Sequence, residues 1–384
     1  MRMEEQKKHY PFLDLKTVNE PYIDLLAAAA ERVIRSGRYI GGPEVAEFEK
    51  SLATMTGTRF AVGVSNGLDA LRLTLRAMVE LGRLNPGDGV VVAANTYIAS
   101  VLAITDAGLT PVLTDPDPET MNLSAEGILR VLGPGVKAVM PVHLYGRTAW
   151  DEDIARVIRD NSLIAVEDCA QSIGAISPAK GLNGGTHAGA LGHAGAFSFY
   201  PTKNIGALGD AGAVTTDDEE LAKTVRALAN YGSDRRYHNI YAGMNCRLDP
   251  VQAAMLSVKL PHTLEENADR FARALAYHRT ISHPLVVKPL MTQVVNDCVW
   301  HQYVIRVTGG KRDLMQKALR AKGVDTDIHY AVPPHLQPCY AGLAHGPLPI
   351  TERLADEVLS LPIAAGTTVA DAAEIARIIN SITL

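Results

Sequence analysis

Cysteine is scarce in this 384-residue chain, and long apolar runs are missing altogether. The four cysteines, Cys169, Cys246, Cys298 and Cys339, form no CxxC pair and no metal-ligand spacing. That argues against a zinc module and against a disulfide framework. Reduced thiols in a cytoplasmic setting are the simplest expectation, and no metal is expected. No stretch approaches the ~20 apolar residues of a membrane span, because Gly, Asp or Pro breaks each one. The opening MRMEEQKKHYPF mixes charges and lacks the apolar core of a signal peptide. No basic block stands out, and the formal net charge is -5, so nucleic acid is disfavoured as a partner. No GxGxxG follows the first apolar run and opens a helix, which removes a dinucleotide-binding reading. There is no internal repeat.

What is present is an ordinary globular composition, 47% hydrophobic and 21% charged, able to bury a sizeable core. The length suggests a large domain with a smaller companion. Short apolar runs recur at 60–64, 89–95, 110–115, 136–142, 162–168, 195–200 and 211–216. Segments with apolar residues three or four apart separate several of them, at 66–83, 97–107, 124–131 and 150–160. Apolar runs without alternation suit strands covered on both faces. Their alternation with helices predicts a mainly parallel sheet in an α/β layer structure, with ligands bound at the carboxyl ends of the strands. After residue 217 helical patterns dominate, at 217–230, 250–259 and 264–281. A second α/β unit is expected from strands at 299–307 and 325–329, with helices at 311–322 and 369–382. The expected division is an N-terminal segment, 1–45, packing on the body, a large domain, 46–260, and a small C-terminal domain, 261–384. The Gly- and Ala-rich segment 181–195 is expected to be a loop.

Four features fall at predicted strand ends. In VSNGLDAL (64–71), Ser65, Asn66 and Gly67 turn a strand into a helix, and unpaired amides there form a phosphate cradle; a plain N-cap reads equally well. In VEDCAQS (166–172), Asp168 is placed to hold the proton of a pyridine nitrogen, with Gln171 one short turn on, near a ring oxygen. A helix cap by Asp168 is the alternative. In SFYPTKN (198–204), Lys203 follows a strand, where partial desolvation suits Schiff-base chemistry; most lysines are simply solvated. In ANTYIAS (94–100), Tyr97 is placed to stack on a planar ring, or to be an ordinary buried aromatic.

Taken in order along nearly the whole chain, these motifs resemble the StrS/DegT-type nucleotide-sugar aminotransferases. The resemblance runs from GRYIGGPEVAEFE (37–49) to SLPI (360–363) and includes MPVHLYG, EDCAQSIGA, GAFSFYPTKNIGALGDAGAVTT, NYGS and NCRLDPVQAA. It implies the fold of type I enzymes dependent on pyridoxal 5'-phosphate (PLP), with pyridoxamine 5'-phosphate as the alternate cofactor form. It implies that Lys203 forms the Schiff base and carries protons, that Asp168 pairs with the ring nitrogen and Gln171 with the ring oxygen, and that Tyr97 stacks on the ring. Ser65, Asn66, Gly67 and Ser198 would bind the phosphate. Asn245 would reach it from a neighbouring subunit, which makes the site a property of a homodimer. Arg247 would meet a donor carboxylate or a pyrophosphate. Tyr39, His143, Tyr145, His329 and Tyr330 are the sugar-side candidates; a core histidine is the competing reading of His329.

The forms SNGLDAL, AANTYIAS and MPVHLYG resemble the branch that aminates 3-keto sugars. The implied substrate is a dTDP-3-keto-6-deoxyhexose, and the implied amino donor is L-glutamate. The alternatives are a 4-keto nucleotide sugar, a keto-cyclitol, or a non-catalytic binding protein on the same scaffold. A dehydratase is disfavoured because that branch has histidine in place of the lysine. Three departures from the pattern stand out: Thr202 beside Lys203, Cys169 after Asp168, and a long 178–194 loop carrying His187 and His193. That loop is expected to be flexible and at the pocket edge.

Overall fold

The computed structural model describes residues 8–291 and 296–384; the first seven residues of the opening segment lie outside them. The seven apolar runs form β1 (Phe60–Val64), β2 (Gly89–Ala93), β3 (Thr110–Thr114), β4 (Val136–Val139), β5 (Ile164–Asp168), β6 (Ala194–Ser198) and β7 (Gly212–Thr216). They make one sheet in the order β1-β7-β6-β5-β4-β2-β3. All pairings from β3 through β6 are parallel, whereas β7 runs antiparallel to both β6 and β1. The sheet is therefore mainly parallel, as the sequence predicts.

Burial on both faces explains the unbroken apolar runs. Every residue of β2 is buried. Val90 and Val92 join the core under helices Gly67–Glu80, Ile98–Asp106 and Glu219–Ala229. Val91 and Ala93 join the opposite core, under helices Ala125–Val131 and Glu152–Asp160. Polar caps start four of these five helices, all but Ile98–Asp106: Asn66, Ser124, Asp151 and Asp218 each accept a first-turn amide. Helix Ile23–Ser36, not foreseen as an element, seats Ala29 and Val33 against Ala254 of helix Pro250–Lys259.

A small hairpin, β8 (Ser233–Arg235) and β9 (His238–Asn239), precedes a second antiparallel sheet of β10 (Val286–Val287), β11 (Tyr303–Val307) and β12 (Val358–Leu361). Helices Thr263–Thr280 and Val369–Asn380 pack on it around Tyr277, Tyr303 and Ile375. One expectation is corrected here. Residues 325–329 are not a strand; they make a single bridge, Asp327 to Ser360. The partner that β11 needs is Val358–Leu361, whose four residues are all buried. The chain at 327–330 is thereby left as a connection that reaches toward the large sheet.

Candidate active site

The carboxyl ends of the parallel strands open into a cavity of about 440 Å³. Asp168, the last residue of β5, stands in its wall and is 6% exposed. Its carboxylate is held on both oxygens. Oδ2 accepts from Ser100 Oγ at 2.7 Å and Oδ1 from the Ala170 amide at 3.1 Å. Thr96 Oγ1 lies 2.9 Å from the Ser100 hydroxyl, so the donors run in a chain, Thr96 to Ser100 to Asp168. A carboxylate fixed this way is aimed rather than free to rotate.

Lys203 lies in the turn after β6 and lines the same cavity. Burial pushes its ammonium pKa down to about 8, against the opposing pull of the Asp168 carboxylate. About a tenth of Lys203 is then free amine at pH 7, far more than at the ordinary 10.5. Gln171 accepts the Tyr145 amide at 2.6 Å through Oε1 and donates to the Tyr330 hydroxyl at 3.1 Å through Nε2. Its second N–H remains for a ligand. The Tyr97 and Tyr330 rings meet at 5.0 Å between centroids, and Tyr97 is 53% exposed at the mouth.

The cradle lies opposite. Asn66 caps helix Gly67–Glu80 by accepting the Asp69 amide at 2.8 Å, which leaves the first-turn amides of Gly67 and Leu68 facing the cavity. Gly67 is there for space: a Cβ would sit 2.5 Å from Ser198 Cβ. Backbone amides, a serine hydroxyl and a helix N-terminus thus converge on one spot suited to a phosphate. The cap reading of the Ser65–Asn66–Gly67 turn holds, and the cap leaves the neighbouring amides free for a ligand. Ser65 itself does not line the cavity; its hydroxyl donates to Asp69 Oδ2. The pocket fits a phosphorylated pyridine, with a carboxylate for the ring nitrogen, an amide for a ring oxygen and an amine within the same walls.

The remaining candidates divide. His143 lines the cavity, but both its nitrogens are occupied: Nδ1 accepts the Ala149 amide at 2.9 Å and Nε2 donates to Glu167 at 2.9 Å. Tyr145 lies outside this cavity and ties its hydroxyl to the His329 carbonyl. His329 and Tyr330 both line it. Burial lowers the His329 imidazole, with Asp327 opposing, while burial and then Asp168 raise the Tyr330 phenol. Tyr39, Asn245 and Arg247 lie outside the cavity of their own chain. Tyr39 is 58% exposed and bonds the Ile34 carbonyl, Asn245 is exposed, and Arg247 donates to Asn230 Oδ1 at 2.8 Å over the Tyr231 ring.

Three residues were not anticipated. Ser100 was legible in principle, since ANTYIAS places it three residues after Tyr97 in a helix that starts at the strand end. Glu167 is wholly buried and accepts the Gly189, Leu191 and Gly192 amides at 2.8, 2.9 and 2.8 Å, besides His143. It clusters with His143 and Cys169, yet its oxygens and both imidazole nitrogens are engaged, so the cluster is a structural tie. The 178–194 loop is therefore moored behind β5, and none of its residues lines the cavity, contrary to the pocket-edge expectation. His301 donates from Nδ1 to Asn204 Oδ1 at 3.0 Å, because the Asn204 amide nitrogen is spent on Asn267 and Val299. Burial holds its imidazole neutral, so Nε2 offers a lone pair; the residue lines the cavity.

An amine beside an aimed carboxylate and a phosphate cradle is the equipment of a cofactor-dependent aminotransferase. Residues 23–381 match the DegT/DnrJ/EryC1/StrS aminotransferase family, and the chain belongs to it. It is 42% identical over 372 residues, 97% of this chain and 98% of the other, to the dTDP-3-amino-3,6-dideoxy-alpha-D-galactopyranose transaminase of Aneurinibacillus thermoaerophilus. The fold superimposes with a TM-score of 0.90, at 40% identity over 97% of this chain and 98% of the other, on S. venezuelae DesV in complex with a ketimine intermediate. A Bacillus subtilis relative, ntda, solved with bound cofactor PMP, gives a TM-score of 0.88 at 28% identity, covering 99% of this chain and 87% of that one. The chain is an aminotransferase with the type I PLP-dependent fold.

Proposed function

We propose that this enzyme aminates a nucleotide-linked keto sugar, a dTDP-3-keto-6-deoxyhexose, with L-glutamate as donor and PLP as cofactor. One observation carries the reading: a desolvated Lys203 with a pKa of about 8 shares a cavity with Asp168, whose two oxygens are already aimed. The transaminase names of the 42%-identical relative and its kin support the sugar class. Bound PLP supplies an electron sink for the bonds at the amino-bearing carbon, alternating with its pyridoxamine form. Asp168 holds the proton on the ring nitrogen, and Ser100 and Ala170 keep it in place. The spare Gln171 N–H meets the ring oxygen, and Tyr97 covers one ring face. Asn66, the Gly67 and Leu68 amides, Ser198 and a re-aimed Ser65 hydroxyl bind the phosphate. Lys203 Nζ holds the cofactor, then carries a proton to and from the substrate carbon.

On this reading the enzyme acts as a homodimer in the cytoplasm. Asn245, exposed on its own chain, completes the phosphate site of a partner subunit, and Arg247 meets the substrate pyrophosphate there. Tyr39, His329 and Tyr330 face the sugar nucleotide, His143 walls the pocket, and Tyr145 braces the His329 carbonyl. The described residues include no helix long and apolar enough to cross a membrane. The test is the visible absorbance of the PLP-loaded enzyme. L-Glutamate should bleach the lysine-bound band, and a 3-keto nucleotide sugar should restore it faster than its 4-keto isomer. Lys203→Ala should abolish turnover. Restoration by the 4-keto isomer alone would overturn the sugar assignment, and no bleaching by L-glutamate would overturn the donor.

A further inference from the structure

Across His301 from the active-site cavity lies a side chamber of about 160 Å³. Thr202, His301, Gln302 and His329 line both spaces, so the two adjoin at these side chains. The chamber is too small for a sugar nucleotide, given the ~300 Å³ or more that larger ligands occupy. Arg270, on helix Thr263–Thr280, lies in its wall and is 5% exposed.

Arg270 is a buried cation on which the nearby acidic charge, Glu266, acts only from a distance. Its protein contacts are the Trp300 and His301 carbonyls, at 3.3 and 3.4 Å, both made by Nη1. Glu266, one turn earlier, gives Oε1 to the Tyr22 hydroxyl at 2.7 Å, and Asp269 pairs with Arg273 at 3.4 Å. Among the described residues no carboxylate forms an ion pair with Arg270. Burial pushes the guanidinium down to about 10, with the Glu266 charge opposing and the Arg273 charge adding to the shift. Gln302, 9% exposed, likewise has no hydrogen-bond partner for its side-chain amide among the described residues. The half-buried Thr202, one residue before Lys203, lines the same space. Three donor side chains, one of them charged, thus border a small space next to the reactive amine. His301, being neutral, adds no competing charge. The carboxylate of Asp327 lies at the rim with 60% side-chain exposure and turns toward His329 at 3.7 Å.

We propose that this chamber is the carboxylate subsite of the amino donor, with Arg270 as the anionic anchor and Gln302 and Thr202 as flanking donors. The inference rests on the aminotransferase reading above and assigns the donor carboxylate to Arg270, leaving Arg247 to the nucleotide phosphates. It also accounts for threonine beside the lysine: a hydroxyl there reaches a ligand on the side away from the phosphate cradle.

The probe is glutarate, a dicarboxylate with no amino group to react, titrated calorimetrically into the PLP-loaded enzyme, with thymidine diphosphate as a second probe. Arg270→Gln should weaken glutarate by about tenfold or more, the effect of losing a charge-assisted hydrogen bond. Gln302→Leu should weaken it several-fold, and neither change should alter thymidine diphosphate binding. Should Arg270→Gln fail to fold, Gln302→Leu decides by the same criterion. Unchanged glutarate affinity in the variants overturns the subsite, and so does a parallel loss of both probes, which would assign the chamber to phosphate. If the wild-type enzyme is bleached by L-glutamate while the variants bind glutarate normally, only the subsite falls. If the wild type neither bleaches nor binds glutarate, the donor assignment falls with it.

Discussion

Replacing Glu167 by Gln isolates what its charge does, because the two side chains are isosteric and no cavity is created. In the native enzyme one oxygen accepts the Leu191 and Gly192 amides, and the other accepts Gly189 and His143. Glutamine has one acceptor, so whichever way its amide turns, two of the four donors meet an NH₂ group. His143 cannot adapt by moving its proton, since its Nδ1 already accepts the Ala149 amide at 2.9 Å. Each hydrogen bond to a buried charge contributes about 1.5–3 kcal/mol. Two lost bonds therefore predict a loss of about 3–6 kcal/mol, a large share of the ~5–15 kcal/mol that holds a typical fold together. Urea unfolding of the cofactor-free enzyme reads this as a lower midpoint at unchanged slope. Glu44→Gln is the control. Glu44 makes a two-pronged pair with Arg32 at 2.8 and 3.0 Å, but Arg32 is 56% exposed, so that change should cost no more than about 1 kcal/mol. If both variants unfold at the wild-type midpoint, the buried tie does not hold the loop and the reasoning fails.

Ser100→Ala removes the donor on Asp168 Oδ2, so kcat/KM should fall about tenfold or more with the fold intact, for a loss of about 1.5–3 kcal/mol at a buried charge. A wild-type value would remove Ser100 from the site. Capture of PLP by the cofactor-free enzyme needs Lys203 as the free amine. Its rate should rise with pH and level off above about 8; a midpoint at the ordinary 10.5 would refute the desolvated lysine. The same shift has a stability sign. Between about 8 and 10.5 the unfolded chain binds more protons at this position than the folded one, so the cofactor-free enzyme should gain stability as pH rises through that window. Asp168→Asn should move the capture midpoint lower still, because it deletes the charge that favours the ammonium.

The large sheet was legible because its strands are buried on both faces. Such strands write themselves as unbroken apolar runs, and residues such as Val90 and Val91 serve two different cores without any alternation to blur the signal. The half of the candidate site formed at the ends of those strands was legible for the same reason: Asp168 and Ser198 close two of the strands, and Gln171 and Lys203 follow them within a few residues. Glu167 was not. A carboxylate inside an apolar strand looks like an interruption until the loop amides that satisfy it are in place, and those lie 22 to 25 residues away.

The small sheet shows the opposite case. Residues 325–329 read DTDIH, with Ile328 the one apolar residue, whereas 358–361 read VLSL, and tertiary pairing gives the strand to the second stretch. Val358–Leu361 wins because all four residues find cover, whereas Asp327 and His329 carry polar side chains that cannot be buried between two layers. That choice has a consequence for the chemistry. A chain segment freed from the sheet can bring His329 and Tyr330 across to the strand ends of the large sheet, where Tyr330 meets Gln171 and Tyr97. The residue least expected from local sequence, Arg270, belongs to the same logic. Its helix reads as a connector, Arg270 as one charge among several, and its burial arises only where residues 298–302 fold over it. Parts of a pocket supplied by strand ends announce themselves locally, while parts supplied by the packing of distant segments are visible only once a charge such as Arg270 is seen buried against backbone carbonyls.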